Sequence, residues 1–298
     1  MNKVVKEKII IFLFILMIII GLSFILYPII SNLINKNHYQ KIINTYENVV
    51  NDKTDAENDK LFIKARQYNS SLSSTRIVDA FENPSQVNSS EYLSILNVND
   101  NGMMGYISIP KIDVRIPIYH GTSSDVLQKG VGHLEGSSFP VGGDSTHAIL
   151  SAHRGLPSSR LFTDLDQLEK GDIFYIYVVD EILTYKVDQI LVSEPSETEA
   201  LQIVDGKDYV TLVTCTPYAV NTHRLLVRGE RIEYNKQVEK QIVKDKSLSY
   251  ADIILYCSLI ISIILIIVMI VIGISYKRKK INKLKNKKGK VVKKKRGF

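Results

Sequence analysis

Cysteine is scarce in this chain. The 298 residues include two cysteines, and one of them, Cys257, lies inside an apolar run where a thiol serves as a small apolar side chain. Cys215 is therefore the only cysteine of the polar part of the chain, and a lone cysteine excludes an intrachain disulfide framework. Its thiol is available for another role, although an ordinary buried cysteine is the simplest alternative.

Metal-binding spacings and internal repeats are also absent from the sequence. No pair of histidines has the His-Glu-x-x-His spacing of a zinc site. Glu194, Glu197 and Glu199 raise the question of calcium, but a solvated acidic loop is the ordinary explanation of such a cluster. We therefore expect neither a metal nor a cofactor.

Charge is missing from two long apolar runs, residues 9–30 and 253–275. Each is long enough to supply the roughly 20 residues that cross a bilayer core. A cleaved signal peptide is the alternative for the first run, but signal peptides have shorter apolar cores, and residues 26–30 make a poor cleavage site. The sequence thus predicts a transmembrane anchor at 9–30 and a second transmembrane helix at 253–275.

The net charge of +7 is unevenly distributed. Lys277–Phe298 carries thirteen basic residues and no acid, residues 1–8 carry three Lys and one Glu, and the segment between is net acidic. By the positive-inside rule, the N-terminus (1–8) and the basic tail (276–298) are expected in the cytoplasm, which places the intervening domain outside the cell membrane. A basic tail beside an apolar span is expected to contact anionic lipid, and we predict no nucleic-acid binding.

The exported segment is long enough for one domain with an appendage. Residues 31–74 have apolar side chains at helical spacing and predict a helical stalk. Residues 75–90 have loop character, residues 91–235 form the predicted domain, and residues 236–252 are a juxtamembrane linker.

Short β-branched and aromatic runs dominate from Gly105 onward, separated by turn residues. This pattern predicts a mostly β domain, either an antiparallel sandwich or a closed barrel, with few helices beyond residues 124–129 and 161–168. The predicted strands are 106–110, 114–119, 147–150, 173–179, 183–187, 189–192, 209–214 and 224–228.

Cys215 ends one of these strands, where a side chain can face a groove. A catalytic thiol needs a base or cation nearby and donors for a developing oxyanion. His153 ends another strand before a turn, whereas His147 begins that strand and His120 and His133 stand beside glycines in predicted turns. A histidine at a strand end or in a turn is in general more often structural than catalytic, and this applies to all four.

Arg224 begins a strand nine residues after Cys215, and so short a connection predicts that the two strands lie together. A guanidinium keeps its charge and offers several donors in a fixed fork, which suits an oxyanion or a substrate carbonyl. The alternative is an ordinary surface arginine, which is how we interpret Arg228.

These motifs together resemble the sortases, the cysteine transpeptidases of the Gram-positive cell surface. The resemblance extends over residues 91–233 and rests on Thr211-Leu-Val-Thr-Cys215, on His153 in a Ser-x-His-Arg-Gly context and on Asn221-Thr-His-Arg224. The run Cys215-Thr-Pro-Tyr218 and the second apolar span resemble class C, the pilin-polymerising branch.

The resemblance implies a closed β-barrel of about eight strands. It implies that Cys215 is the nucleophile, His153 the general acid and base, and Arg224 the oxyanion and substrate ligand, with Thr214 and Thr216 lining the groove. The implied substrate is a Leu-Pro-x-Thr-Gly-like sorting signal, which is cut between Thr and Gly through a Cys215 thioester. In class C the acyl group then passes to a pilin Lys amine.

Class C sortases also share a lid with an Asp-Pro-aromatic motif. In this chain Asp79-Ala80-Phe81 stands at the corresponding place without the Pro. The resemblance implies that Asp79 pairs with Arg224 and that Phe81 packs over Cys215. Losing Pro removes a restraint on φ, so this lid is expected to be more mobile than one that keeps it.

Three other functions fit the same sequence. A sortase could join single proteins to a peptidoglycan amine instead of a pilin Lys. A plain thiol protease would release hydrolysed product even when an amine is present. A surface β-barrel that binds a partner without chemistry would keep its function when Cys215 is replaced by Ala.

Overall fold

The computed structural model describes residues 3–72, 79–81 and 89–244, and within the C-terminal apolar run residues 253, 256–268, 270–271, 273–275 and 278. It divides into two compact units, Met1–Leu26 with Leu248–Phe298, and Tyr27–Ser247. The predicted basic tail, apart from residue 278, and residues 245–252 of the predicted linker lie outside the described residues.

Both apolar runs are helical where they are described. The first belongs to α1 (Lys3–Asn51), and the second forms a helix within Tyr256–Ser275. By length and composition each can cross a membrane, because the bilayer core requires about 20 apolar residues in a helix. Membrane anchoring is therefore compatible with the structure.

Eight strands close into a barrel in the order β1-β2-β3-β4-β7-β8-β6-β5, which confirms the mostly β barrel prediction. The main hydrophobic core fills its interior with alternate side chains of each strand, such as Leu150 on β4 and Leu212 on β7. The strands are β1 (Met103–Ile109), β2 (Val114–His120), β3 (Val131–His133), β4 (Thr146–Ser151), β5 (Ile173–Val178), β6 (Glu181–Ser193), β7 (Asp208–Thr216) and β8 (His223–Ile232).

Two neighbouring strand pairs of the barrel are parallel, a feature that the sequence analysis did not predict. β2 runs parallel to β3, and β4 runs parallel to β7 with Ser151 opposite Val213. Apolar alternation marks a strand but carries no information on the direction of its partner, so the sequence does not reveal the parallel pairs. The consequence is that β4 and β7 end at the same edge of the barrel.

Local strand boundaries differ from the prediction in two places. The two runs predicted at 183–187 and 189–192 form one strand, β6, with a register shift between Val187 and Gln189. β3 was not predicted, because it is three residues long and contains Gly132. His120 and His133, predicted in turns, instead end strands β2 and β3 as buried side chains.

The residues of the predicted helical stalk belong to two helices, α1 and α2 (Asp55–Ser71). α1 ends at Asn51, and α2 starts after Thr54, whose backbone N–H donates to the Glu57 carboxylate at 2.9 Å. Both helices pack on the barrel within the unit Tyr27–Ser247. The Tyr46 hydroxyl donates to the Met104 carbonyl at 2.9 Å and accepts from the Val179 N–H at 2.8 Å.

The remaining helices are short. α4 (Ser124–Lys129) confirms its prediction, whereas the helix predicted at 161–168 is reduced to a 3-10 turn at Leu165–Gln167. α3 (Ser90–Ser94) and α5 (Lys236–Lys244) lie on either side of the barrel in sequence and were not predicted as helices. These pieces leave the edge where β4 and β7 end open to loops.

Candidate active site

The parallel pairing of β4 with β7 brings the predicted site residues together. Cys215 on β7 lies opposite Arg224 on β8. Ser151, the last residue of β4, lies opposite Val213, so His153 follows β4 at the level of Cys215. His153, Cys215 and Arg224 therefore form one row across three adjacent segments, which we call the catalytic row.

Backbone contacts fix the end of β4 against β7. The Ala152 N–H donates to the Val213 carbonyl at 3.1 Å, and the Thr214 hydroxyl donates to the Ala152 carbonyl at 2.8 Å. The Phe162 N–H donates to the His153 carbonyl at 3.1 Å. These bonds hold the backbone of His153 beside the strand that carries the thiol.

A groove face lies outside the barrel core, next to the catalytic row. Successive strand residues point to opposite faces, so Cys215 shares the face of Val213, away from Leu212 in the core. A second, smaller apolar cluster covers this face and includes Ala80. Its other buried members are Leu134, Ile149, Leu201, Val213 and Leu226.

Burial keeps the thiol and the imidazole uncharged at rest. Burial raises the pKa of Cys215; the Arg224 guanidinium opposes this and the Asp79 carboxylate adds to it. Burial lowers the pKa of His153. Because a buried environment disfavours charge, the pair rests mainly as thiol and neutral imidazole at neutral pH.

Arg224 is held by the segment that was predicted as a lid. Its Nε and Nη2 donate to the two carboxylate oxygens of Asp79 at 2.7 and 2.8 Å, the pairing that the sequence predicts. The two side chains are 6% and 7% exposed. A buried bidentate pair of this kind compensates both charges and occupies donors of the guanidinium.

Phe81 lies between the two partners of the thiol. Its ring centroid is 5.2 Å from the Arg224 guanidinium carbon and 5.8 Å from the centroid of the His153 ring. The Phe81 N–H donates to Asp79 at 3.0 Å, and Ala80 between them is buried in the groove cluster. Residues 79–81 thus cover the catalytic row; residues 75–78 and 82–88 of the predicted lid lie outside the described residues.

His153 is half-buried and differs from the three buried histidines of the barrel. Each ring nitrogen of His120, His133 and His147 lies within hydrogen-bond distance of a protein oxygen. The His153 ring has no such bond to any residue that the structure describes, so its nitrogens are available for proton transfer. The sequence alone does not reveal this difference.

The two threonines predicted to line the groove have other hydrogen-bond partners. Thr214 is fully buried, and its hydroxyl is used by Ala152 on the core side of β7. Thr216 is half-buried and accepts a hydrogen bond from Arg154 at 3.1 Å. Their groove role stays a prediction without a supporting contact.

Arg154 is a positioning residue that sequence reasoning missed. Besides the bond to Thr216, its guanidinium pairs with Asp166 at 2.5 Å, and its side chain is 8% exposed. Through Thr216, Arg154 therefore connects the segment that follows β4 to the end of β7, next to Cys215. Its signal in the sequence is a charge immediately after His153.

Gly155 lies too close to the Tyr218 ring to carry a side chain in this arrangement. A side chain on Gly155 would meet the Tyr218 ring at 2.9 Å, and its φ of +82° favours glycine. The loops that follow β4 and β7 therefore interlock beside the catalytic row. Within the described part of the chain, no group of three His, Cys, Asp or Glu side chains is arranged to hold a metal ion.

Known proteins resemble this chain in sequence and in fold. A sortase-domain family model matches residues 107–232. The structure of sortase C from Streptococcus pneumoniae is 47% identical and covers 65% of this chain and 97% of its own, with a TM-score of 0.61. The structure of sortase C1 from Streptococcus agalactiae is 49% identical over 65% of this chain and 100% of its own, with a TM-score of 0.59.

Curated relatives match over a shorter region. Sortase D of Bacillus subtilis (strain 168) is 30% identical over 131 residues, which are 43% of this chain and 63% of that protein. The chain thus spans less than two thirds of the length of this relative.

Fold and site define a class of closed eight-stranded barrels with a Cys–His–Arg row at one edge. The chain belongs to the sortase family, whose members are cysteine transpeptidases, and the structures it resembles include several sortases C. The resemblance predicted from the sequence is confirmed.

Proposed function

We propose that this protein is a membrane-anchored cysteine transpeptidase that cuts a Leu-Pro-x-Thr-Gly-like sorting signal between Thr and Gly and transfers the acyl part to an amine. The observation that carries the proposal is the catalytic row, in which a buried thiol lies opposite a buried arginine and beside a histidine with available ring nitrogens. A binding module has no need of this combination.

The two half-reactions use the same three side chains. The Cys215 sulfur attacks the Thr carbonyl carbon, its proton passes to His153, and His153 protonates the Gly nitrogen as the C–N bond breaks. An incoming amine then attacks the thioester, gives its proton to His153 and releases the Cys215 sulfur, which recovers a proton. Arg224 donates to the oxyanion in both steps.

Residues 79–81 act as a lid in this proposal. Asp79 occupies the donors of Arg224 that the oxyanion needs, and Ala80 fills the apolar groove next to the thiol. Substrate entry therefore requires that the segment leave. Ala80 lacks the φ restraint of the Pro at this place in class C sortases, which lowers the cost of moving it.

We assign pilin polymerisation as the task of the enzyme, with a pilin Lys amine as acceptor. The support is the similarity to sortase C of S. pneumoniae, whose structure is described in terms of pilin substrate specificity. Transfer to a cell-wall amine is the second candidate, because sortases A and D are among the curated relatives.

The proposed topology places the barrel outside the cell membrane and both termini in the cytoplasm. Its support is the pair of apolar helices and the basic residues that flank them on their outer sides. Cysteine accessibility to a membrane-impermeant reagent tests this placement in intact cells, with single cysteines introduced in the barrel or in the tail.

The chemistry is tested on the full chain in detergent micelles with a quenched Leu-Pro-x-Thr-Gly peptide. Mass spectrometry should detect an acyl adduct on Cys215, with more adduct in Asp79→Ala/Phe81→Ala and none in Cys215→Ala. Cys257→Ala is the matched control and should keep the adduct. Absence of adduct in every form across several signal variants would contradict the proposal and favour a binding module.

The acceptor is then identified from the product. A Lys-containing pilin fragment should become joined to the signal through an isopeptide bond. A product joined only to a peptidoglycan amine would support wall anchoring, and hydrolysed product in the presence of either amine would support a thiol protease.

A further inference from the structure

Ser151 occupies a special place on the groove face. It lies opposite Val213 on β7, and Val213 lies opposite Leu226 on β8. Ser151, Val213 and Leu226 therefore form a second row, adjacent to the catalytic row. Rows on one face are two residues apart, a spacing of roughly 6.5–7 Å along a strand.

The Ser151 hydroxyl is buried beside a cavity whose lining is partly apolar and partly polar, the polar part including Ser193, Glu194 and Thr198. The residue is completely inaccessible to solvent, and its Oγ has no hydrogen-bond partner among the residues that the structure describes. It lines this small cavity together with Ala80, Arg224 and the side chains of the groove cluster. A buried hydroxyl without a partner is unfavourable, and natural structures usually satisfy such groups.

Other hydroxyls on the same two strands do have partners. The Thr214 hydroxyl donates to the Ala152 carbonyl at 2.8 Å, and the Thr211 hydroxyl lies 2.7 Å from His147 Nε2. The missing partner of Ser151 is therefore not a general feature of these strands. It is found where the cavity meets the lid.

Ala80, which lines the cavity on the side of the lid, explains why the Ser151 hydroxyl has no partner there. Ala80 presents a methyl group to the groove and has no polar side-chain atom to offer. A substrate in the same groove brings polar groups. The cavity therefore suits a ligand that brings one more hydroxyl or amide group next to Ser151 than residues 79–81 do.

We propose that Ser151 is a specificity residue that hydrogen-bonds the side-chain hydroxyl of the Thr whose carbonyl Cys215 attacks. This inference rests on the proposed function. The Thr hydroxyl lies three bonds from the attacked carbon, so it can reach a group one row away from the thiol. An enzyme site that hydrogen-bonds a substrate hydroxyl disfavours the analogue that lacks it.

The test measures kcat/KM of the full chain in detergent for two signals that differ only in Thr or Val at the scissile position. Val has the shape of Thr without the hydroxyl. We expect wild type to prefer Thr by about tenfold, and Ser151→Ala to reduce the preference to within about twofold.

Thr184→Val is the matched control. Thr184 on β6 is also buried with an unpartnered hydroxyl, but it does not line the groove cavity. This variant should keep the tenfold preference, since its hydroxyl faces no substrate. A preference lost equally in both variants would show a structural effect and overturn the assignment.

A measurement on wild type alone covers the case in which Ser151→Ala does not fold. Signals with Ser or Ala at the scissile position form a second matched pair, and wild type should prefer Ser. Equal cleavage within both pairs overturns the inference while leaving the transpeptidase proposal intact. Cleavage of no signal by any form contradicts the proposed function itself, and the inference with it.

Discussion

The core face and the groove face of the same three strands differ in how they treat polar groups. The core face of β4 and β7 carries apolar side chains and Thr214, whose hydroxyl donates a hydrogen bond to a backbone carbonyl. On the groove face, the thiol, the guanidinium and the Ser151 hydroxyl are buried under residues 79–81. The difference teaches that one face maintains the fold, while the other holds a thiol, a guanidinium and a hydroxyl beneath residues 79–81, which we propose to be a removable lid.

The largest effect should follow from removing the thiol. Cys215→Ala should reduce acylation by at least about 1,000-fold, because no other group in the catalytic row can form the thioester. Acyl-enzyme yield and circular dichroism of the full chain measure chemistry and fold separately. Normal acylation in a folded Cys215→Ala protein would end the assignment of this face to catalysis.

The next prediction compares one leucine from each face. Leu212→Ala on the core face should lower the free energy of unfolding by about 2–5 kcal/mol, since it leaves a cavity in the main core. Leu226→Ala in the smaller cluster should cost less stability but should reduce kcat/KM, because Leu226 lines the groove. Denaturant titration measures the free energy of unfolding, and peptide cleavage measures kcat/KM. If the two variants changed both quantities equally, the two faces would not differ in their roles.

The cover itself can be weakened by one isosteric change. Asp79→Asn removes the charge that pairs with Arg224 and should increase the acylation rate by about tenfold, equivalent to ~1.4 kcal/mol. It should also lower the pKa of Cys215, because the Asp79 carboxylate raises it. Thiol alkylation against pH in a Cys257→Ala background measures this shift.

Asp188→Asn is the control for that change. Asp188 pairs with Arg228 on β8, away from the catalytic row, and its loss should leave the acylation rate unchanged. A similar acceleration in both variants would mean that the Asp79 pair has no special role in covering the site.

The smallest effect concerns pH. The pKa of His153 lies below its ordinary value of 6.5 and that of Cys215 above its ordinary value of 9.0, in each case chiefly through burial. A neutral thiol–imidazole pair and a thiolate–imidazolium pair carry the same number of protons. Whichever pair is the reactive form, kcat/KM is therefore constant between the two pKa values. Acylation kcat/KM should therefore stay on a plateau at least from pH 6.5 to pH 9.0 and fall only outside this range, and a narrow optimum near pH 7 would contradict this environment.

The sequence predicts the members of the catalytic row but not their alignment. Cys215, His153 and Arg224 are marked by residue type, spacing and the family resemblance. The short β-branched runs predict a sandwich or a barrel, and the resemblance selects the closed barrel. The parallel pairing that aligns them depends on which strands become neighbours, and local patterns do not encode that.

Features that depend on three-dimensional neighbours were missed for the same reason. The groove role of Thr214 was implied by the family resemblance and stays a prediction, and only the structure shows that its hydroxyl donates to the Ala152 carbonyl on the core side of β7. Arg154 and Ser151 lay within the recognised motif, but only their contacts, or the lack of one, distinguish them. The lid pairing of Asp79 was predicted through the family resemblance, not from local pattern.

Phe81 offers an optical view of the cover. The chain contains no tryptophan, so a Phe81→Trp variant would hold its only indole between an imidazole and a guanidinium. Emission from that single fluorophore would report its surroundings without background from the barrel or the helices. Departure of residues 79–81 from the groove could then be timed against thioester formation in one stopped-flow experiment.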